Sequence, residues 1–212
     1  MFAQSRATTQ LFNAEPDAFQ TPYTDPRINQ GFPKGSALIE LILGGVRSGK
    51  SREAQNRAER SGWPVTFVAT ATPSDPEMAS RIERHRSDRP SHWSSMEVPL
   101  HLAATLTSEA QSQRCLIVDC MTIWLTNWLM EGDESLPTYQ RERDRLLQCL
   151  PELPGHVILV SNETNQGVIP MTALARRFCD EAGWLHQELA RISDRVSLMV
   201  AGIALDVKQE RI

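Results

Sequence analysis

The sequence has 212 residues, 41% hydrophobic and 23% charged, which is typical of a globular protein with one well-packed domain. Its formal net charge of -4 argues against a broad surface for the phosphate backbone of nucleic acids. Its apolar segments are too short to span a bilayer, and its four cysteines lack metal-type spacing. We therefore expect buried free thiols, a cytoplasmic protein, no nucleic acid as a partner and no membrane span.

Two regions differ in pattern along the chain. Residues 1–36 contain four prolines and no sustained hydrophobic period, so they are predicted to form an irregular N-terminal extension. Residues 37–212 alternate between apolar segments of strand length and segments of helical character, and we assign them to one nucleotide-binding catalytic domain.

The predicted elements of the second region define a fold class. In chain order, strands are predicted at residues 38–43, 65–69, 116–119, 157–161 and 196–201, with a closing hairpin strand at 203–208. Helices are predicted at 51–60, from Asp75-Pro76-Glu77 onward, and at 100–111, 122–130, 140–150 and 172–192. This alternation predicts an α/β fold with a mostly parallel sheet, helices on both faces and an antiparallel C-terminal hairpin.

The first predicted strand is followed by a phosphate-binding motif. Its residues fit the pattern GxxxxGK[ST] and open the next helix: Gly44, Gly45, Val46, Arg47, Ser48, Gly49, Lys50 and Ser51. The glycines allow backbone N–H groups to surround a phosphate, and the helix N-terminus adds a favourable field. Lys50 is predicted to contact the outer phosphates of ATP or GTP, and the Ser51 hydroxyl to bind Mg²⁺.

A second magnesium ligand is predicted at Asp119, where an apolar segment of strand character ends in a carboxylate. The pattern alone is weak, because an aspartate after a strand is often only a turn residue. Together with the phosphate-binding motif, it favours a metal-binding role.

A basic cluster follows in the second predicted helix. It comprises Arg81, Arg84, His85, Arg86 and Arg89. Such a run is often a solvated helix face, but several arginines beside one histidine also suit an anion pocket. Nearby cations would keep His85 neutral, and a neutral imidazole can attack phosphorus. The pattern alone leaves both interpretations open.

Several separated segments resemble one family. They are GGVRSGKS, VATATPSDPEMASRIERHRSDRPSHWSSMEVP, LIVDCMTIWLTNWL, LVSNETNQGVIP and LARRFCDEAGWLHQELA. Their order and spacing resemble the bifunctional adenosylcobinamide kinase / adenosylcobinamide-phosphate guanylyltransferase family over residues 38–208.

The resemblance implies a RecA-like P-loop fold, a trimer, and two reactions of cobalamin biosynthesis. Adenosylcobinamide would be phosphorylated with ATP or GTP, and GMP would then pass from GTP to that phosphate through a guanylyl-histidine. The histidine matches His85; Arg84 stands where some members carry a second histidine. The guanine-nucleotide contacts of the family match Ala69, Thr70, Ala71, Arg86, Ser87, Asp88, Arg89, Glu97 and Asp119.

One loop departs from the family pattern NEVGxGIVP. Here Thr164-Asn165 replaces valine-glycine, while Glu163, Gly167 and Pro170 are retained. The change is mild if the loop uses a left-handed conformation at Asn165, because asparagine tolerates it.

The remaining histidines and three tryptophans are predicted to have structural or surface roles. They are His92, His101, His156, His186, Trp93, Trp124 and Trp128. Two other functions remain open: a P-loop kinase of a small alcohol or nucleotide without histidine transfer, and a GTP-dependent switch. The switch predicts an NKxD motif, which the sequence lacks.

Overall fold

A computed structural model describes residues 37–73, 76–87 and 89–209 of the chain. Within the second of these ranges, the side chains of residues 78, 81, 84 and 85 are not described. The predicted extension 1–36, the helix-opening Asp75 and the predicted contact Asp88 lie outside the described residues. The division of the chain at residue 36 therefore stays a prediction.

The described residues form seven strands and six α-helices. The strands are β1 (Leu38–Gly44), β2 (Val65–Ala69), β3 (Ser94–Glu97), β4 (Cys115–Asp119), β5 (His156–Asn162), β6 (Arg195–Val200) and β7 (Ile203–Gln209). The helices are α1 (Lys50–Arg60), α2 (Pro76–Ser87), α3 (Leu102–Glu109), α4 (Met121–Met130), α5 (Leu136–Cys149) and α6 (Ala173–Ile192). Short 3₁₀ turns at Asp133–Ser135 and Leu150–Glu152 flank α5.

The strands form one sheet in the order β3-β2-β4-β5-β1-β6-β7. Strands β1 to β6 pair in parallel, and β7 returns antiparallel to β6. The predicted parallel sheet with a C-terminal hairpin is therefore present. Because parallel strands share one carboxyl edge, the loops after β1, β2, β3, β4 and β5 all emerge on the same side.

Strand β3 was not predicted from the sequence. Its residues, Ser-Ser-Met-Glu, are mostly exposed and show no apolar alternation. Its place comes from parallel pairing with β2, in a register that sets Glu97 beside Ala69. Edge strands of this kind carry little sequence signal, because only one neighbour and one face constrain them.

Two apolar clusters hold the sheet between its helices. The larger packs β1, β4 and β5 against the helices on one face, with Trp124 and Leu125 fully buried. The smaller packs the other face against Ala54 and Ala58 of α1. Trp93, Trp124 and Trp128 are all buried, as their predicted packing role requires.

The four cysteines are free thiols, as predicted, but they differ in burial. Cys115 and Cys120 are buried, whereas Cys149 and Cys179 are only partly buried. The expectation of burial is therefore wrong for Cys149 and Cys179, which lie on helices α5 and α6 and keep part of their surface in solvent.

A charged network crosses the buried amino-terminal part of the sheet. Arg57 of α1 donates to Glu40 of β1 (2.5 Å), to Glu53 (2.7 Å) and to Ser197 of β6 (2.9 Å). The Nε2 of His156, on β5, lies 2.7 Å from the second oxygen of Glu40. Glu40 and His156 are fully buried, so these contacts join α1, β1, β5 and β6 away from water.

Candidate nucleotide-binding site

The predicted phosphate-binding loop, residues 44–51, joins the carboxyl end of β1 to the start of α1. The Gly49 φ of 99° is a conformation that glycine adopts without strain, and Arg47 also has a positive φ. Ser48 N–H donates to Gly45 O (3.3 Å), which closes the loop into a turn. The loop therefore ends directly on the N-terminus of a helix, where anions bind favourably.

Lys50 lies at the first position of α1 with only 8% of its surface exposed. Its Nζ donates to the carbonyl oxygen of Gly45 at 2.8 Å, so the ammonium group lies over the loop. Burial lowers the pKa of Lys50, while the nearby Asp119 carboxylate opposes that shift. The lysine thus supplies a positive charge at the place where a nucleotide's outer phosphates would bind.

Ser48 presents a second polar group inside the loop. Its hydroxyl is buried and has no hydrogen-bond partner among the described residues. An unsatisfied buried hydroxyl costs free energy unless a ligand or water completes it. The loop therefore offers a donor suited to a phosphate oxygen.

The two predicted magnesium ligands are in direct contact. Ser51 Oγ, in the first turn of α1, donates to Asp119 Oδ2 at the end of β4 over 2.8 Å. No cluster of three or more His, Cys, Asp or Glu side chains suited to a metal occurs in the described ranges. Mg²⁺ needs no such cluster, because waters and nucleotide phosphates complete its octahedral shell. The Ser51–Asp119 pair therefore fits this ion.

The carboxyl ends of three neighbouring strands bring other predicted contacts together. Ala69 of β2 is in register with Asp119 of β4 and with Glu97 of β3. Ala71 follows two residues later and is half-buried. We call these positions, at the carboxyl ends of β2, β3 and β4, the shelf; their contact with a guanine nucleotide stays a prediction.

Thr70 links the ends of β2 and β4 through hydrogen bonds. Its N–H donates to Asp119 O (3.1 Å), and its hydroxyl exchanges hydrogen bonds with the N–H and carbonyl of Cys120 (2.9 and 2.8 Å). Its carbonyl accepts from Asn127 (2.8 Å). All of its polar groups are thus engaged within the chain, which favours a structural role for Thr70 at the nucleotide site.

Arg89 brings a cation to the same edge. Its guanidinium lies 3.6 Å from the ring centroid of Phe67, and its Nε is buried without a described partner. Burial lowers the pKa of Arg89, and the Asp119 carboxylate acts in the opposite direction. The Nη1 of Arg89 donates to Ser95 Oγ (3.4 Å), and the Nε–H remains a donor suited to a phosphate or a purine oxygen.

The rest of the basic segment is described only in part. Arg86 and Ser87 are exposed at the end of α2. His85 belongs to α2, but its side chain lies outside the description, as do those of Arg81 and Arg84. The assignment of His85 as nucleophile therefore stays a prediction.

One acidic residue at the loop received no role from the sequence. Glu163 follows β5, and its N–H donates to Gly44 O at 2.9 Å. It lines a cavity of about 380 Å³ between the phosphate-binding loop and the β6–β7 hairpin. The sequence signal that could have identified Glu163 is that it is retained in the family loop pattern NEVGxGIVP.

The departure at Asn165 has a local explanation. Among the described residues, only Arg47 and Ala201 are non-glycine residues with positive φ, so Asn165 does not use the left-handed conformation. Its N–H donates to Glu163 (2.7 Å) and its side chain to Cys179 O on α6 (2.9 Å). Asparagine therefore introduces no backbone strain at this position, and its side chain links the loop after β5 to α6.

Across the part of the chain that the structure describes, no helix combines the length and apolar character needed to cross a membrane.

Comparisons with known sequences point in one direction. A sequence model of the family described as "Cobinamide kinase / cobinamide phosphate guanyltransferase" matches residues 40–207. The bifunctional adenosylcobalamin biosynthesis protein CobP of Pseudomonas aeruginosa is 54% identical over 173 residues, covering 82% of this chain and 99% of that protein. The bifunctional adenosylcobalamin biosynthesis protein CobU of Escherichia coli is 36% identical over 182 residues, covering 81% and 100%.

Solved structures support the fold. The type III secretion ATPase EscN of enteropathogenic E. coli superposes with a TM-score of 0.50 at 11% identity, covering 81% of this chain and 47% of that one. With the sheet order and the loop between β1 and α1, this confirms the predicted RecA-like P-loop fold.

Proposed function

Because the chain belongs to the cobinamide kinase / cobinamide phosphate guanyltransferase family, we propose that it phosphorylates adenosylcobinamide with ATP or GTP and then guanylylates the product. It is a nucleotide-dependent transferase of cobalamin biosynthesis. The final product of the two reactions would be adenosylcobinamide-GDP. The observation that carries the proposal is the contact between Ser51 and Asp119 beside Lys50, at the point where the phosphate-binding loop meets α1.

In the kinase reaction, the loop and α1 bind the triphosphate. Lys50 and the N-terminus of α1 stabilise the negative charge that develops on the transferring phosphoryl group. Ser51 and Asp119 would hold Mg²⁺, which neutralises charge on the phosphate oxygens when it is bound. The side chains therefore contribute chiefly electrostatic stabilisation and position.

In the guanylyl reaction, His85 would be the nucleophile. Its imidazole nitrogen attacks the α-phosphorus of GTP, the bond to the β-phosphate oxygen breaks, and pyrophosphate leaves. An oxygen of the corrinoid phosphate then attacks the same phosphorus, and the P–N bond breaks. Arg86 and Arg89 follow His85 in the chain and would stabilise the transferring oxygens.

The direct test is incubation of the protein with α-labelled GTP and Mg²⁺. We expect a covalent GMP adduct that is labile to acid and comparatively stable to base, as a phosphoramidate is. His85→Asn should abolish the adduct and guanylyl transfer, while phosphorylation of adenosylcobinamide continues. His92→Asn, which changes an exposed histidine outside the shelf, is the matched control and should keep the adduct.

Three outcomes would contradict the proposal. An adduct on His85→Asn would place the nucleophile elsewhere. A wild-type protein that phosphorylates the corrinoid but never forms an adduct would support the simpler kinase. The GTP-dependent switch would be supported by nucleotide binding without transfer of either group.

The resemblance also implies a trimer, while the cytoplasmic location is expected from the cysteine pattern. Strand β7 forms an edge of the sheet and exposes Ile203, Leu205 and Val207, at 72%, 59% and 65% of their surfaces, which is compatible with association of copies. Light scattering after size-exclusion chromatography measures the oligomeric state, and a monomer would contradict the trimer.

A further inference from the structure

Three polar side chains form a row from the core to the cavity beside the phosphate-binding loop. Ser161 Oγ, on β5, lies 2.7 Å from His186 Nε2 on α6. The other ring nitrogen, Nδ1, faces Glu163 Oε2 at 3.9 Å. Ser161 and His186 are buried, whereas the Glu163 side chain keeps 17% of its surface exposed. The exposed end of the row is therefore the carboxylate.

The protonation of His186 sets the direction of the contacts in this row. Burial lowers the pKa of His186, although Glu163 opposes that shift, so the ring is neutral near pH 7. Nδ1 is the ring nitrogen that faces the Glu163 carboxylate, which favours the single ring proton there; in that tautomer Nε2 accepts from the Ser161 hydroxyl. At 3.9 Å this is an electrostatic contact and not a hydrogen bond, and a neutral ring leaves Glu163 able to accept a proton.

Glu163 is also held from its other side. Its Oε1 accepts from the N–H of Asn165 (2.7 Å), and its own N–H bonds to Gly44 O of the phosphate-binding loop (2.9 Å). Asn165 in turn fits closely against Gly183, where an added Cβ would lie 3.1 Å from its Nδ2. The carboxylate is thus fixed relative to both the loop and α6.

The cavity in front of Glu163 has two kinds of wall. One wall is the phosphate-binding loop, from Gly45 to Ser48. The opposite wall is apolar and comes from the hairpin, through Leu198, Met199 and Val200. A space of about 380 Å³ with these walls suits an aliphatic arm that carries a hydroxyl group toward the terminal phosphate.

We propose that this cavity takes the hydroxyl-bearing arm of the phosphate acceptor, and that Glu163 Oε2 accepts the hydroxyl proton during phosphoryl transfer. The acceptor oxygen forms a bond to the terminal phosphorus, the bond to the β-phosphate oxygen breaks, and the nucleoside diphosphate leaves. The proton moves to Glu163 and from there to solvent. His186 is a positioning residue whose ring faces the carboxylate. This inference rests on the proposed kinase function.

The test compares two substitutions of Glu163 in the full-length protein, with adenosylcobinamide and ATP as substrates. Glu163→Gln keeps the shape and the oxygen that accepts from Asn165, but it cannot take a proton. We expect kcat to fall by about 100-fold or more, with the KM for ATP within about threefold of wild type. Glu163→Asp keeps a base and should recover part of the loss. His186→Asn should give a smaller fall in kcat.

A matched control is Glu188→Gln on α6, the same chemical change at an exposed position outside the cavity. It should leave both constants unchanged, and melting temperatures show that all variants fold. Near-normal kcat in Glu163→Gln would overturn the inference while leaving the kinase assignment intact. An equal fall in kcat in the Gln and Asp variants, together with a raised KM for ATP, would also overturn it. That result would indicate that Glu163 only supports the conformation of the phosphate-binding loop. A wild-type protein without kinase activity would remove the proposed function itself.

Discussion

The buried charge network makes a prediction about stability that is independent of catalysis. Arg57→Met removes a guanidinium that binds Glu40, Glu53 and Ser197, while it keeps an unbranched, flexible stem. Glu40 is fully buried, so its carboxylate then loses its guanidinium partner and keeps only the described contact of Oε1 with His156.

Removing one partner of a buried ion pair typically costs about 3–5 kcal/mol. For a chain of this size, each kcal/mol shifts the melting temperature by about 2–4 °C, which gives a decrease of about 6–20 °C. The matched control is Arg191→Met, because Arg191 and its partner Glu188 are 71% and 44% exposed. That variant should lose no more than about 1 kcal/mol.

Urea unfolding and calorimetry of the two variants measure the difference. The double variant Glu40→Met/Arg57→Met should lose less stability than the sum of its single variants, because neither Glu40 nor Arg57 is then left as a buried charge without the other. A loss below about 1 kcal/mol in Arg57→Met, or strict additivity in the double variant, would refute the reasoning.

Three further predictions concern the site and the hairpin. Lys50→Ala should lower the kinase rate by orders of magnitude with the fold intact, and near-normal turnover would contradict the loop assignment. Asp119→Asn should lower both activities, with partial recovery in excess Mg²⁺ or Mn²⁺; unchanged metal dependence would argue against its role. Although burial raises the pKa of Asp206, hydrogen bonds from Arg195 and Ser197 hold it below its ordinary value of 3.8. The Asp206 carboxylate therefore stabilises the fold above that value, and this contribution is lost as pH falls through the folded-state pKa. The free energies of unfolding of wild type and Asp206→Asn, measured in urea, should converge as pH decreases below about 4.

The parts of the fold that sequence could predict are those with local signals. The apolar β1, the phosphate-binding motif and the carboxylate that ends β4 each occupy a few consecutive residues. Their contact in space follows from the shared carboxyl edge of parallel strands. The Ser51–Asp119 pair was therefore predictable before any coordinates.

The parts that sequence could not predict depend on distant partners. Glu40 interrupts an apolar strand, and nothing nearby in sequence identifies Arg57 and His156 as its partners. The row from Ser161 to Glu163 needs His186, from a helix that the chain reaches only after a long loop. Strand β3 is short and polar, and only the neighbouring β2 makes it a strand.

The β6–β7 hairpin reaches the motif itself. Gly202 N–H, at the hairpin turn, donates to Ser48 O over 2.9 Å, and a Cβ added at Gly49 would lie 3.3 Å from Gly202 Cα. Two glycines far apart in the chain thus face each other across one tight contact. The hairpin turn therefore supports the phosphate-binding loop from outside. In protein engineering, truncating β7 or attaching a tag to it is expected to disturb that loop.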